Sequence, residues 1–301
     1  MSSPVHARKA IHTFSMKAAK LQSFLGLRVL LAAALAAFLL LFSARTLFPS
    51  STNPPSSHAL LHGGGESCGK LPAAVAETLV HYATTNTTPQ QTAAEIGVSL
   101  RVLQRRSPCN FLVFGLGLDS PMWAALNHGG RTVFLEEDAS WIESVRAAHS
   151  GLDLESYHVR YDTRLTDADD LLALRDHSDC VGADLDAGPE SSSCKLALKG
   201  LPAVFREVEW DLIMVDAPTG WTPEAPGRMG AIYTAGMAAR ARRPGDGATD
   251  VFVHDVDRSV EDRFSKAFLC EAYLEEQVGR IRHFVVPSHR EKPGTPFCPQ
   301  N

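Results

Sequence analysis

The alternation of short apolar runs with helical patterns beyond residue 109 constrains the fold more than any other feature of this sequence. Strands that alternate with helices predict βαβ units, which build a Rossmann-like α/β fold with a mostly parallel sheet covered on both faces. Segment 67–108 is expected to be helical and to cover the sheet. We expect strands at 111–115, 132–135, 157–161, 211–215 and 250–253, helices at 121–127, 139–149, 228–242 and 260–268, and a closing antiparallel hairpin of 272–277 with 280–286.

The first predicted strand runs into a glycine-rich loop that contains Gly115 and Gly117, followed by Asp119. Glycines let the backbone approach a ligand closely, and the next helix then points its N-terminus at that ligand. The second strand ends about twenty residues later in Glu136 and Glu137, a spacing at which a carboxylate can bind both hydroxyls of a ribose. The loop and the acids together predict a cofactor that contains a ribose.

The acidic residues also indicate which cofactor this is. The third position of the dinucleotide fingerprint holds Ser120 instead of Gly or Ala, which argues against NAD. Carboxylates after the second strand suit S-adenosylmethionine, because its sulfonium is cationic. Asp162, after the third predicted strand, is a further candidate for cofactor binding, whereas Asp138 fits the N-cap of the helix that follows it.

The carboxyl ends of the last two parallel strands carry Asp216, His254 and Asp255, and ligands of an open parallel sheet bind at such ends. Methyl transfer to a hydroxyl needs a base that removes the proton as the new bond forms. Asp216 is the strongest candidate, because an apolar strand delivers it into a loop. The same three residues could instead hold a divalent metal ion, and His254 and Asp255 could serve only packing and helix capping.

Two further residues near this edge could bind an acceptor. Arg228 opens a helix, where its planar guanidinium could grip a carboxylate through two hydrogen bonds. The alternative is a salt bridge to Glu224 or to another nearby acid. Trp221 could stack on the face of a sugar, or it could anchor its loop by packing inward.

An apolar run at 24–42 contains one charged residue, Arg28, and is long enough to span a thin bilayer as a helix. Basic residues precede it, so the positive-inside rule places the N-terminus in the cytosol. A cleaved signal peptide is the alternative. We expect a single-pass type II membrane protein with a cytosolic tail at 1–23, an uncleaved anchor at 24–44, a flexible luminal stem at 45–66 and a luminal domain at 67–301.

The residues beyond the apolar run fit an oxidising lumen. All six cysteines lie there, and an even number in such a compartment suggests disulfides. Cys180 and Cys194 are expected to pair, because the chain between them is short, polar and flexible. Asn86 begins a glycosylation sequon. The first 45 residues hold six of the 29 basic residues and no acid, so the rest of the chain is acidic, which excludes nucleic acid binding through bulk charge.

Several longer segments are similar to the plant DUF579 family, and most similar to its glucuronoxylan 4-O-methyltransferases. The likeness covers about residues 67–299. It is strongest in CNFLVFGLGLDSPMWAALN at 109–127, TVFLEED at 132–138, WDLIMVDAPTGW at 210–221, APGRMGAIYTAGMAAR at 225–240 and TDVFVHDVDR at 249–258.

The resemblance implies a class I methyltransferase that uses S-adenosylmethionine to methylate O4 of glucuronic acid side chains on xylan at the Golgi membrane. It maps the family's cofactor loop onto Gly115, Gly117 and Asp119, and its ribose-binding acid onto Glu136 or Glu137. The family also contains arabinogalactan methyltransferases and members that act in xylan deposition without a settled activity. An arabinogalactan enzyme, or a non-catalytic scaffold associated with xylan synthesis enzymes, therefore stays open as an alternative.

Overall fold

The computed structural model describes residues 71–299, apart from 72, 86–90, 183–184, 186–187, 189–190, 246 and 292–293. The predicted tail, anchor and stem, and the sequon at Asn86, lie outside the described residues. Within the described part, no helix combines the length and the apolar character that crossing a bilayer requires.

The described residues form a seven-stranded sheet with the order β3-β2-β1-β4-β5-β7-β6. Strands β1 to β5 run parallel, and β7 pairs antiparallel with both β5 and β6. This is the mostly parallel sheet with a C-terminal hairpin that the apolar runs predicted. The strands are β1 Asn110–Phe114, β2 Arg131–Glu136, β3 Ser156–His158, β4 Leu212–Val215, β5 Ala248–Val253, β6 Leu274–Val278 and β7 Ile281–Pro287.

Helices cover both faces of the sheet, because alternate side chains of a buried strand point to opposite sides. On β1, Phe111 and Val113 pack with α1 to α4, whereas Leu112 and Phe114 pack with α8 and α9. The helices are α1 Ala73–Thr85, α2 Ala93–Arg106, α3 Ser120–Leu126, α4 Ala139–Ala148, α5 Ala168–Leu172, α6 Ser178–Val181, α7 Val204–Glu207, α8 Met229–Arg240 and α9 Ser259–Phe264, with 3-10 turns at Leu165–Asp167, Ala173–Asp176 and Glu271–Tyr273.

Two of the predicted elements differ in type or by more than two residues at one end, and the short helices α5, α6 and α7 were not predicted. Strand β3 ends at His158 and not at residue 161, because its neighbour β2 ends at Glu136, opposite His158, and offers no further partner. Helix α9 passes at Ser265 into a π-helical segment, Ser265–Cys270, so the predicted helix at 260–268 continues in a wider form.

Two disulfides among the described residues each join a cysteine of a helical segment to one outside helices and strands. Cys180 and Cys194 are joined, as the sequence predicted, with their Cα atoms 4.8 Å apart. Cys270 and Cys298 form a second bridge, which the sequence left unassigned. Beside it, the ring of Phe297 lies 3.9 Å from Cζ of the buried Arg240. The C-terminal tail is thereby tied to α8 and to the π-helical segment.

Replacing both Cys180 and Cys194 by Ser should lower the free energy of unfolding by about 3 kcal/mol, because a loop of this length loses that much closure entropy when cross-linked. Urea unfolding of the purified protein measures the change. The matched variant that removes Cys270 and Cys298, which are 28 residues apart, should lose slightly more. Equal stability of the Cys180/Cys194 variant and the unchanged protein would contradict a stabilising disulfide there.

Candidate active site

A cleft of about 870 Å³ opens at the carboxyl ends of β1, β2 and β4. Its volume is that of a typical small-molecule site, and it lies where the strand order reverses between β1 and β4. The structure thus brings most of the predicted site residues to one place. Those that line the cleft are Gly115, Gly117, Asp119, Glu136, Glu137, Asp216, Trp221 and Arg228.

At both glycines of the first loop, neighbouring atoms lie too close to leave room for a side chain. Gly115 has a φ of 121°, and a Cβ there would lie 3.1 Å from the Cβ of Ala217. A Cβ at Gly117 would lie 2.6 Å from Oδ1 of Asp119. Side chains at either position would push this loop away from the β4 loop or from its own acid.

Asp119 occupies the N-cap position of α3, but its side chain makes no capping hydrogen bond. Instead, Oδ2 accepts a hydrogen bond from Nε1 of Trp123 at 3.0 Å. Burial, together with the negative charge of Asp216, raises the pKa of Asp119 to about 6. Within the described part of the chain no basic side chain pairs with Asp119. This carboxyl group therefore suits a cationic group of a ligand.

Glu136 braces the first loop from the end of β2. Its Oε2 accepts from the backbone N–H of Leu116 at 2.9 Å, and its Oε1 accepts from the N–H groups of Glu137 at 2.9 Å and Asp138 at 3.0 Å. Burial raises the pKa of Glu136, although these hydrogen bonds favour its ionised form. With both oxygens engaged by the backbone, Glu136 shapes the cleft more readily than it binds a ribose.

Glu137 is the better placed of the two candidates for the ribose. It is half-buried, and its Oε1 accepts from the N–H of Thr219 in the β4 loop at 2.9 Å. Its Oε2 accepts no hydrogen bond from the residues that the structure describes, and so it can receive a ligand hydroxyl. Asp138 caps α4, as predicted, with Oδ1 accepting from the N–H of Ser140 at 2.8 Å.

Asp216 follows β4 and is held from two sides. Its Oδ1 lies 2.9 Å from Nδ1 of His254 and 3.1 Å from Nη2 of Arg228, and its Oδ2 accepts from Nε2 of Gln91 at 3.0 Å. Burial alone would raise the pKa of Asp216, but the charge of Arg228 and the hydrogen bonds from His254 and Gln91 lower it to about 2. Asp216 is therefore ionised throughout the physiological pH range.

His254 and Asp255 lie beneath the cleft, behind Asp216. His254 is fully buried, and its ring lies between Asp216 and Glu95, whose Oε2 is 3.8 Å from Nε2. Asp255 has a φ of 60° and is 1% exposed. These positions do not fit the direct catalytic contact predicted for both residues. Both residues follow β5, which lies one strand away from the point where the strand order reverses.

The predicted metal set does not fit a metal ion. Ligand atoms of Asp216, His254 and Asp255 lie within 4.8 Å of one another, which is close enough to share a cation. However, Nη2 of Arg228 already lies 3.1 Å from Asp216 and 2.9 Å from Asp255. The guanidinium occupies the space between the carboxylates and balances their charge.

The structure places Arg228 in the interior and Trp221 at the surface. Arg228 is only 3% exposed, so it fits the predicted alternative of a salt bridge better than a clamp for the acceptor. Its partners are Asp216 and Asp255, and not Glu224. Trp221 is 74% exposed at the rim of the cleft. It does not pack inward, and its ring is open to a ligand.

Asp162 does not belong to the cleft. Because β3 ends at His158, the chain has already turned away before Asp162, which is exposed and lines a separate cavity with Arg160 and Lys195. The prediction that Asp162 binds the cofactor is therefore not supported by its position.

Sequence reasoning missed the residues that contact Asp216, His254 or Asp255 from outside the strands, namely Gln91, Glu95, Arg258 and Arg280. Thr92 and Glu95 form a capping box at the start of α2, which the sequence pattern could have revealed. Nothing in the pattern indicates that the preceding Gln91 reaches the end of β4. Arg280 lies in the hairpin turn and contacts Asp255 at 2.7 Å, a long-range pairing that local spacing does not encode.

Proteins of known name are similar to this chain over most of its length. The family model for IRX15/IRX15L/GXM matches residues 94–284. Among relatives from Arabidopsis thaliana, Glucuronoxylan 4-O-methyltransferase 3 is 51% identical over 93% of this chain and 97% of its own, and Glucuronoxylan 4-O-methyltransferase 2 is 59% identical over 78% and 79%. Arabinogalactan O-methyltransferase 2 is 51% identical over 74% and 77%. As the resemblance of its segments predicted, the chain belongs to the IRX15/IRX15L/GXM family.

Proposed function

We propose that this chain is an S-adenosylmethionine-dependent methyltransferase with a class I fold, and that it methylates O4 of glucuronic acid side chains on glucuronoxylan. The observation that carries the proposal is the cleft at the carboxyl ends of β1, β2 and β4, where the carboxyl groups of Asp119, Glu137 and Asp216 converge. The two relatives named as glucuronoxylan 4-O-methyltransferases, 51% and 59% identical to this chain, support the choice of acceptor.

The residues present fit S-adenosylmethionine. Glu137 offers Oε2 to the ribose hydroxyls, and Asp119 offers a carboxyl group without a basic partner among the described residues to a cationic part of the cofactor. Gly115 and Gly117 place no side chain at these two positions of the loop. When bound, the cofactor supplies a methyl group on a sulfonium, the electrophile of the reaction.

Asp216 is the proton acceptor in this proposal. Its Oδ1 is engaged by His254 and Arg228. Among the described residues Oδ2 accepts only from Nε2 of Gln91, so it can accept a second hydrogen bond from the acceptor hydroxyl. A carboxylate with a pKa of about 2 does not remove a hydroxyl proton beforehand. It orients the hydroxyl and takes the proton as the bond to the methyl carbon forms, when that proton becomes strongly acidic.

The proposal places the enzyme on the Golgi membrane as a type II protein, with the anchor at 24–44 and the catalytic domain in the lumen. The apolar run at 24–42 and its basic flank support this placement. An arabinogalactan acceptor is the second candidate, because an arabinogalactan methyltransferase is 51% identical to the chain.

Incubation of the full-length protein with S-adenosylmethionine and glucuronoxylan oligosaccharides tests the reaction. Mass spectrometry should find one added methyl on each modified glucuronate, and a parallel incubation with arabinogalactan should show less transfer. Greater transfer to arabinogalactan would favour the second candidate. Absence of transfer to both acceptors, with no binding of the cofactor, would favour a non-catalytic scaffold.

Replacing Asp216 by Asn should reduce turnover by about 10²–10⁴-fold, the range for loss of a general base. The affinity for S-adenosylmethionine should change little, because Asp216 faces the acceptor. Steady-state kinetics and calorimetry measure the two effects. Asp169→Asn is a matched control, since Asp169 is exposed and its ion pair with Arg263 lies outside the cleft. Near-normal turnover of Asp216→Asn would show that this residue is not the proton acceptor.

Glu136 and Glu137 should respond differently to replacement by Gln. Glu137→Gln should weaken binding of S-adenosylmethionine by about 1.5–3 kcal/mol, the range for hydrogen bonds to a charged group. Glu136→Gln should lower the melting temperature instead, because the new NH2 group would face backbone donors in a buried position. Calorimetric titration and thermal unfolding of both variants check this. Wild-type affinity in Glu137→Gln would remove Glu137 from the cofactor site.

Binding of S-adenosylmethionine should strengthen as the pH rises through about 6, where Asp119 loses its proton. A cationic ligand favours the carboxylate, so below this pKa binding must first release a proton. Titrations between about pH 5 and about pH 7.5, in buffers of different ionisation enthalpy, detect both effects. Asp119→Asn should bind more weakly and without this pH dependence. The same pH dependence in Asp119→Asn would assign it to another group.

A further inference from the structure

The rim of the cleft carries an exposed tryptophan whose ring is backed by an arginine. Cζ of Arg258 lies 4.1 Å from the centre of the Trp221 ring, close enough for a cation–π interaction. The side chain of Trp221 is nevertheless 74% exposed, so most of the indole remains open beside the cleft that it lines. Large exposed aromatic side chains at the mouth of a cleft commonly mark a binding surface.

The loop 219–227, which carries this tryptophan, is fixed to the rest of the domain. Oγ1 of Thr163 donates to the carbonyl of Pro226 at 2.8 Å, and the N–H of Leu165 donates to the carbonyl of Ala225 at 2.9 Å. The indole is thus presented by a braced loop. A ligand that stacks on such a preorganised ring loses little of its binding free energy to ordering of the protein.

Arg258 is itself held by the charged residues beneath the cleft. Its Nη2 lies 2.9 Å from Oδ2 of Asp255, and the same oxygen lies 2.9 Å from Nη2 of Arg228. Arg228 in turn lies 3.1 Å from Asp216. Contacts between charged groups therefore run without a break from the proposed proton acceptor to the exposed indole, which fixes the position of one relative to the other.

From this geometry we infer that Trp221 and Arg258 form a subsite for a sugar ring of the acceptor, with Arg258 as a positioning residue that holds the indole in place. A pyranose ring presents C–H groups on its faces, and these pack against the open face of an aromatic ring. The inference rests on the proposed function and deepens it, since it assigns acceptor recognition to a surface at the rim, separate from the carboxylates that bind the cofactor.

Kinetics and binding of purified full-length variants test the subsite, with glucuronoxylan oligosaccharides as the acceptor. Trp221→Ala should raise the acceptor KM about tenfold or more, while kcat changes by less than about threefold and the Kd of S-adenosylmethionine stays the same. Trp221→Phe, which keeps an aromatic face, should recover part of the loss. Oligosaccharide binding to the protein saturated with S-adenosylhomocysteine, measured by calorimetry, should follow the KM values.

Arg258→Met removes the charge at similar volume and should raise the acceptor KM less than Trp221→Ala does. If Arg258 acts through the indole, the double variant should have the same KM as Trp221→Ala alone, whereas a purely structural role would give effects that add. Arg258→Lys should retain part of the affinity. Arg263→Met is the matched control, because Arg263 lies on the adjacent helix α9 and pairs with the exposed Asp169.

An unchanged acceptor KM in Trp221→Ala, additive effects in the double variant, or a weaker Kd for S-adenosylmethionine in place of a higher KM would each overturn the subsite. In all three cases methyl transfer by the unaltered protein would leave the proposed function standing. Failure of the unaltered protein to bind or methylate any acceptor would overturn the proposed function, and the subsite with it.

Discussion

The buried guanidinium of Arg228 is the group on which the rest of the site depends. It lies between Asp216 and Asp255, and it also donates from Nη1 to the carbonyl of His254 at 2.9 Å. Two carboxylates that share one guanidinium would repel each other, and without a cation between them one would be protonated. Arg228 thus makes it possible for Asp216 to remain ionised at the end of an apolar strand.

The cleft consequently contains two aspartates in opposite electrostatic states. Asp216 is surrounded by donors and by the charge of Arg228 and stays ionised. Asp119 accepts a hydrogen bond from Trp123 but has no basic partner among the described residues, and its pKa is about 6. Carboxyl groups whose environments move their pKa values apart are suited to different tasks. In the proposed reaction one of them receives the proton of the acceptor, and the other responds to the charge of the cofactor.

Sequence alone predicted the sheet, its hairpin and the loops at its carboxyl edge, because these follow from apolar periodicity and from residues such as Gly115 that local backbone geometry requires. It also identified Asp216 and the acids after β2. It did not show which of Glu136 and Glu137 is free to bind a ribose. That depends on which carboxylate accepts hydrogen bonds from the surrounding backbone, and adjacent residues point in different directions. It placed His254, Asp255 and Arg228 too near the ligand, because residue type and strand position do not reveal which charges pair beneath the surface.

The contact of Gln91 with Asp216 extends the candidate site beyond the region that the family model matches. Gln91 is buried and precedes α2, whereas the family model begins at residue 94. A fragment cut at that boundary would retain every strand of the sheet, yet Oδ2 of Asp216 would lose its only hydrogen-bond donor among the described residues. The part of the chain that completes the site therefore begins before residue 94, where the family model begins.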